Sequence, residues 1–138
     1  VGPGWPLSFL TLPVRGKDQV AAFYRDLGLV PSERSPPGCA FFDLPGATLA
    51  LVEVDVFAEE CGLAPGPPGG VGFSWNVDHE AAVDELIARA VAAGGTVLRP
   101  AEATVWGGRR GWFADPEGHR WEAVWNPKRP PPPWTRRS

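Results

Sequence analysis

A chain of 138 residues suits one domain or two small, tightly coupled halves, and its net charge of -3 gives no global electrostatic case for nucleic-acid binding. No apolar run approaches the roughly 20 residues of a membrane span, and no charged-then-apolar leader opens the sequence, so a cytoplasmic protein is expected. The two cysteines, Cys39 and Cys61, form no CxxC pair and lie near no clustered histidine, which predicts free, buried thiols. Gly and Pro number 17 each, but most of them punctuate turns between apolar runs, and the seven tryptophans suit core packing or the walls of an aromatic cavity.

In chain order, the run from Leu7 to Val14 reads as a strand. Val20, Phe23, Tyr24 and Leu27 then fall at i, i+3, i+4 and i+7, predicting an amphipathic helix from Lys17 to Leu27. Ala40 to Asp43 and Thr48 to Val54 are further short apolar runs that read as strands, and Gly28-Leu29-Val30 answers Gly95-Thr96-Val97 at an offset of 67. A linker over 55–69 runs into the second module, the segment from Asp55 to Gly70 ending in Pro-Gly-Pro-Pro-Gly-Gly. Val71 to Val77 is a further strand. Val83, Leu86, Ile87, Ala90 and Val91 mark a second helix from His79 to Ala93, with Asp78 placed to cap it and Gly94-Gly95 to stop it. Thr96 to Leu98, Gly111 to Ala114 and Trp121 to Trp125 complete the strands. The tail over 128–138 carries four consecutive prolines, which favour polyproline II, and Trp134. It is expected to lie back over its own body or over a second subunit, as are Trp5 and its flanking prolines.

The order strand, helix, three strands thus occurs twice. Val14 and Val77 end corresponding strands 63 residues apart, while Phe42-Asp43-Leu44-Pro45-Gly46 answers Phe113 through Gly118 at 71 to 72. The chain divides into module 1 (7–54) and module 2 (70–127), coupled within a single domain. Ala22-Phe23-Tyr24-Arg25-Asp26-Leu27-Gly28, Asp115-Pro116-Glu117-Gly118-His119-Arg120-Trp121-Glu122 and the Trp-Gly-Gly of Trp106 to Gly108 resemble the vicinal oxygen chelate superfamily: glyoxalases, extradiol dioxygenases and bleomycin-resistance proteins. The resemblance implies an α+β fold of two tandem βαβββ modules, with curled mixed sheets around a cavity and helices outside.

Metal-using members of that superfamily hold a divalent ion with four side chains, one from the first and one from the last strand of each module. The matching positions here are Phe9, Ala50, Gly72 and Glu122, and only Glu122 can coordinate. Catalytic Zn, Fe and Mn sites need about three protein ligands, so neither a metal nor another cofactor is expected. His79 is expected in solvent, and His119 in a turn, pointing away from Glu122.

If Glu122 faces the cavity, as the family pattern implies, alternation places Arg120 and Val124 beside it and turns Trp121, Ala123 and Trp125 to the helix side. The family register turns Arg110 and Trp112 inward. Phe9 and Thr11 join them from the first strand, Ser74 and Asn76 from the second module, and Trp106 from the loop. Trp106 and Trp112 would form an aromatic wall, with Arg110, Arg120 and Glu122 as the polar side. Gly72 and Ala50 would leave volume where a metal would sit. The alternative is a filled core in which Glu122 pairs with Arg110 or Arg120.

The function expected is metal-independent binding of an aromatic or amphipathic small molecule by a homodimer, of the sequestration or resistance type. The alternatives are a lyase or isomerase using Glu122 and an assembly module with a vestigial cavity. Glu122 is a weak catalytic candidate, because adjacent arginines would hold it ionised.

Overall fold

The computed structural model describes residues 4–129. The polyproline run and Trp134 lie outside the described residues. The elements are β1 (Phe9–Val14), α1 (Lys17–Leu27), β2 (Val30–Pro31), β3 (Cys39–Leu44), β4 (Ala47–Glu53), α2 (Val54–Cys61), β5 (Gly72–Asn76), α3 (Ala81–Ala92), β6 (Thr96–Ala103), β7 (Arg109–Ala114) and β8 (Arg120–Trp125). Two four-stranded sheets result, ordered β1-β4-β3-β2 and β5-β8-β7-β6. In each, the first strand runs parallel to the last and the remaining pairs are antiparallel. Even the register repeats: Phe9 and Thr11 lie opposite Thr48 and Ala50, as Gly72 and Ser74 lie opposite Arg120 and Glu122. The expected tandem βαβββ fold is therefore present. Among the described residues no helix is long and apolar enough to cross a membrane.

Several local expectations need correction. The segment read as linker opens with α2, whose sequence Val54 to Cys61 lacks any breaker until Gly62 ends it at φ 85°. The Pro/Gly stretch at 65–70 follows this helix, so only the second half of the segment is loop. β6 continues past Leu98 through Pro100, because an edge strand tolerates a residue without an N–H, and its register shifts on either side of Arg99. α3 starts at Ala81 with Glu80 as N-cap and no side-chain capping bond there, while the expected cap, Asp78, meets His79 Nδ1 at 2.7 Å. The thiols are free, but Cys61 is exposed and Cys39 only half-buried.

One core serves both modules. Leu12, Val14, Leu49 and Leu51 from the first sheet meet Val20, Phe23, Tyr24 and Leu27 of α1. Val83, Ile87 and Ala90 of α3 join them, with Phe113, Trp121 and Ala123 from the second sheet. Trp121 stacks on Trp75 at 4.1 Å and meets the edge of Tyr24 at 5.9 Å. Burying this much aromatic surface is the dominant favourable term.

Polar bonds fasten the same boundary. Tyr24 Oη donates to Asp115 Oδ2 at 2.6 Å and accepts from Trp121 Nε1 at 2.9 Å. The other Asp115 oxygen accepts the N–H groups of Glu117 and His119. Glu117 in turn accepts the N–H groups of Arg15, at 2.8 Å, and Gly16, at 2.7 Å, which sets a carboxylate at the positive end of α1. His119 Nε2 lies 3.1 Å from the Pro13 carbonyl oxygen. Burial, and then the Asp115 charge, push the Tyr24 hydroxyl well above its ordinary value of 10.0. Tyr24, Asp115, Glu117, His119 and Trp121, which belong to two of the motifs that carry the resemblance, thus fasten the modules together.

Candidate functional site

The second sheet turns one face to the shared core and leaves the other open, whereas in the first sheet Ala50 and Val52, on the face of β4 turned away from that core, are buried as well. On β8, Trp121 and Ala123 are buried while Arg120, Glu122 and Val124 lie on the open side. On β7, Phe113 is buried and a Cβ on Gly111 would strike Ile87 of α3, so Arg110 and Trp112 share the open side. Arg109 points the other way and forms a bidentate pair with Asp84 of α3. The alternation expected from the sequence therefore holds on both strands.

β8 lies between β5 and β7, with Trp112 opposite Glu122 and Gly72 opposite Arg120. A Cβ built on Gly72 would sit 2.9 Å from Trp112 Cη2 and 3.0 Å from Cζ3. The indole thus runs diagonally over β8, from the row of Glu122 to the row of Arg120, and ends above Gly72. The volume expected to be left by the small residue at 72 is filled by this ring.

The ring divides the open face. On one side is a cavity of about 490 Å³, lined by Gly69 to Gly72, Leu98, Arg99, Trp112 and Arg120. On the other is one of about 280 Å³, lined by Ser74, Asn76, Trp106, Glu122, Val124, Asn126 and Arg129. No residue lines both, so Trp106 and Trp112 stand in separate compartments rather than on one wall.

The polar groups are distributed unevenly. Glu122 Oε1 accepts a hydrogen bond from Ser74 Oγ at 2.7 Å. Asn76 Nδ2 donates to the Arg129 carbonyl at 2.9 Å. Among the described residues no ion pair joins Glu122 to Arg110 or Arg120, contrary to the filled-core alternative. Arg110 is half-buried, lines neither cavity, and its Nε is buried without a hydrogen-bond partner among the described residues.

Phe9 and Thr11 do not join this group. Phe9 is 49% exposed and meets Phe41 edge-on at 5.5 Å. Thr11 lines a third cavity with Phe57, the Pro/Gly stretch, Phe73 and His119. Sequence reasoning missed Gly69, Gly70, Leu98 and Arg99 in the larger compartment, and Asn126 and Arg129 in the smaller. Arg99 lies in the part of β6 beyond Leu98, outside the apolar run that marks the strand in the sequence. A readable signal for the partition did exist: a glycine at an inward-facing position two strands from an inward-facing tryptophan.

The four positions that would hold a family metal do not fit one. Phe9 is held against Phe41, Ala50 is buried in β4, Gly72 lies beneath the indole, and Glu122 alone offers an oxygen. Among the described residues no group of three or more His, Cys, Asp or Glu could hold an ion.

A two-module βαβββ fold with an open, aromatic-bearing sheet face defines the class. The family model described as Glyoxalase/Bleomycin resistance protein/Dioxygenase superfamily matches residues 7–123, and the chain belongs to that superfamily. A crystal structure of a glyoxalase-related enzyme from Fulvimarina pelagi is 39% identical, with 88% of each chain covered and a TM-score of 0.81. A lactoylglutathione lyase from Agrobacterium tumefaciens shares the fold at 24% identity, covering 91% of this chain and 96% of its own, with a TM-score of 0.70. A structure described as oxidase ChaP-H2 matches at 25% identity over 90% and 95% of the two chains, with a TM-score of 0.65. No curated protein matches. Lyase and oxidase on one fold mean that the site, not the fold, must carry the functional conclusion.

Proposed function

We propose that this protein binds a small organic molecule without a metal ion, in the manner of the sequestering or resistance members of its superfamily. The observation that carries this reading is the Trp112 indole seated over Gly72. It puts an aromatic surface where a metal ligand would have to project. An apolar ring with a few orienting polar groups is the usual make-up of a ligand pocket. We place the second copy of a homodimer over the open faces. Trp5, Leu7 and Phe9 leave apolar surface beside β1, an edge strand, and exposed edges need covering. A cytoplasmic location fits the two free thiols.

The test is elemental analysis of chelator-free protein, combined with turnover assays on thiol adducts and diols. Well under one equivalent of Zn, Ni, Mn or Fe and no turnover are expected. A stoichiometric ion whose binding requires Glu122 would overturn the reading. Light scattering should give the mass of two chains at high micromolar concentration.

A second reading, a metal-independent lyase or isomerase, draws on Glu122. Its carboxylate has Ser74 as its hydrogen-bond donor and no described cationic partner, and could take a proton from a substrate lying against Trp106. Turnover abolished by Glu122→Gln with the fold intact would favour it.

A further inference from the structure

The geometry points to an anion subsite in the larger compartment, built on Arg120 and walled by Trp112, for an organic acid with a flat apolar body. It rests on the ligand-binding reading above and names the chemical class of the ligand.

Arg120 is the group that makes this compartment cationic. It takes part in no ion pair among the described residues. The other arginine lining the cavity, Arg99, is already engaged by Glu102, with Nε 2.7 Å from Oε1. The acid on the same sheet face, Glu122, is on the far side of the indole and lines only the smaller compartment. An anion beside Arg120 therefore meets a guanidinium and a ring face, and no carboxylate in contact.

Two glycines seat these groups. Gly69 has φ +102°, where an L side chain is strained, and a Cβ there would lie 3.0 Å from Arg120 Nε and 3.3 Å from the Gly118 carbonyl oxygen. Gly72 gives the indole its bed. Each missing side chain lets one recognition group lie flat, so guanidinium and indole border the same space of about 490 Å³, with Leu98 as a further apolar wall. A guanidinium offers paired donors to a carboxylate, sulfonate or phosphate, and the ring offers a stacking surface to the rest of the molecule. In a chain of net charge -3, such a spot is a local exception, and a walled cleft strengthens its pull on an anion.

The experiment is calorimetric titration of the full chain with 2-naphthoate and its neutral isostere 2-naphthamide. Naphthoate is expected to bind at least tenfold more tightly than the amide, the scale of a hydrogen bond to a charged group. Arg120→Gln should abolish that preference. Arg120→Lys should keep part of it, and Arg25→Gln, which changes net charge equally on the exposed side of α1, should keep all of it. Arg120 is exposed and has no described partner, so these variants should melt as the parent does. Equal binding of acid and amide, or a preference that survives Arg120→Gln, overturns the anion subsite while leaving the ligand-binding function standing. Binding of neither probe overturns the anion subsite, and the ligand-binding function is then decided by the elemental analysis and turnover assays above.

Discussion

The two modules share topology, strand register and core, yet the sheet faces turned away from that core differ in kind. At matched positions module 1 carries Phe9, Thr11 and Ala50, where module 2 carries Gly72, Ser74 and Glu122. The first set offers one hydroxyl and a half-exposed ring. The second offers a carboxylate with its hydroxyl donor and a bare backbone on which an indole rests. Backbone repetition thus fixes where side chains point, and the identity of a few residues decides which copy presents a carboxylate and an aromatic surface.

The largest expected effect separates the core side of module 2 from its open side. Trp121→Ala removes a side chain buried among Tyr24, Phe73 and Trp75, and should cost about 3–5 kcal/mol. Trp112→Ala should cost clearly less, because its ring is half-buried. Thermal and denaturant melts of the two variants decide it, and the reverse order would break the assignment of faces.

The boundary between modules comes next. Tyr24→Phe leaves Asp115 Oδ2 and Trp121 Nε1 without their shared partner and should cost about 1–3 kcal/mol. It also carries a pH signature. The folded state holds the phenolic proton that the unfolded chain releases, since the folded value is raised. The contribution is therefore intact below about pH 10 and is lost as pH rises beyond it toward the folded value. Denaturant unfolding between pH 8 and pH 11 should show a steeper alkaline loss in the parent than in Tyr24→Phe.

A smaller effect tests the partition. Gly72→Ala presses a methyl into the indole and should cost about 1–3 kcal/mol, mostly relieved when combined with Trp112→Ala. Phe9→Ala, the matched position in module 1, should shift the melt less, because half of that ring already meets solvent. A double-mutant cycle without coupling between residues 72 and 112 would remove the physical basis of the two compartments.

The helix stripes, the strand repeat and the alternation on β7 and β8 were legible in the sequence because each is a local periodicity tied to burial. Val20, Phe23, Tyr24 and Leu27 are buried as their spacing requires. Three-residue signals were less informative. The run Thr96 to Leu98 is only the start of β6, which continues through Pro100 because an edge position spares its missing N–H, and α2 precedes a proline-rich stretch that dominates the local pattern. The site was legible by face but not by compartment. Whether an inward tryptophan stands upright or lies down depends on a neighbour two strands away, here Gly72, and no periodicity encodes that.

The bond between Tyr24 and Asp115 joins residues 91 apart. During synthesis α1 emerges long before the turn and strand that cover it. Until Phe113, Asp115 and Trp121 leave the ribosome, Phe23 and Tyr24 lack their aromatic and hydrogen-bonding partners in module 2, and the carboxylate that holds the start of α1 does not yet exist. Contacts this distant are made late and at a high loop-closure cost. Module 1 therefore completes the burial of α1 only after the Asp-Pro-Glu-Gly-His turn and the strand that follows it have been made.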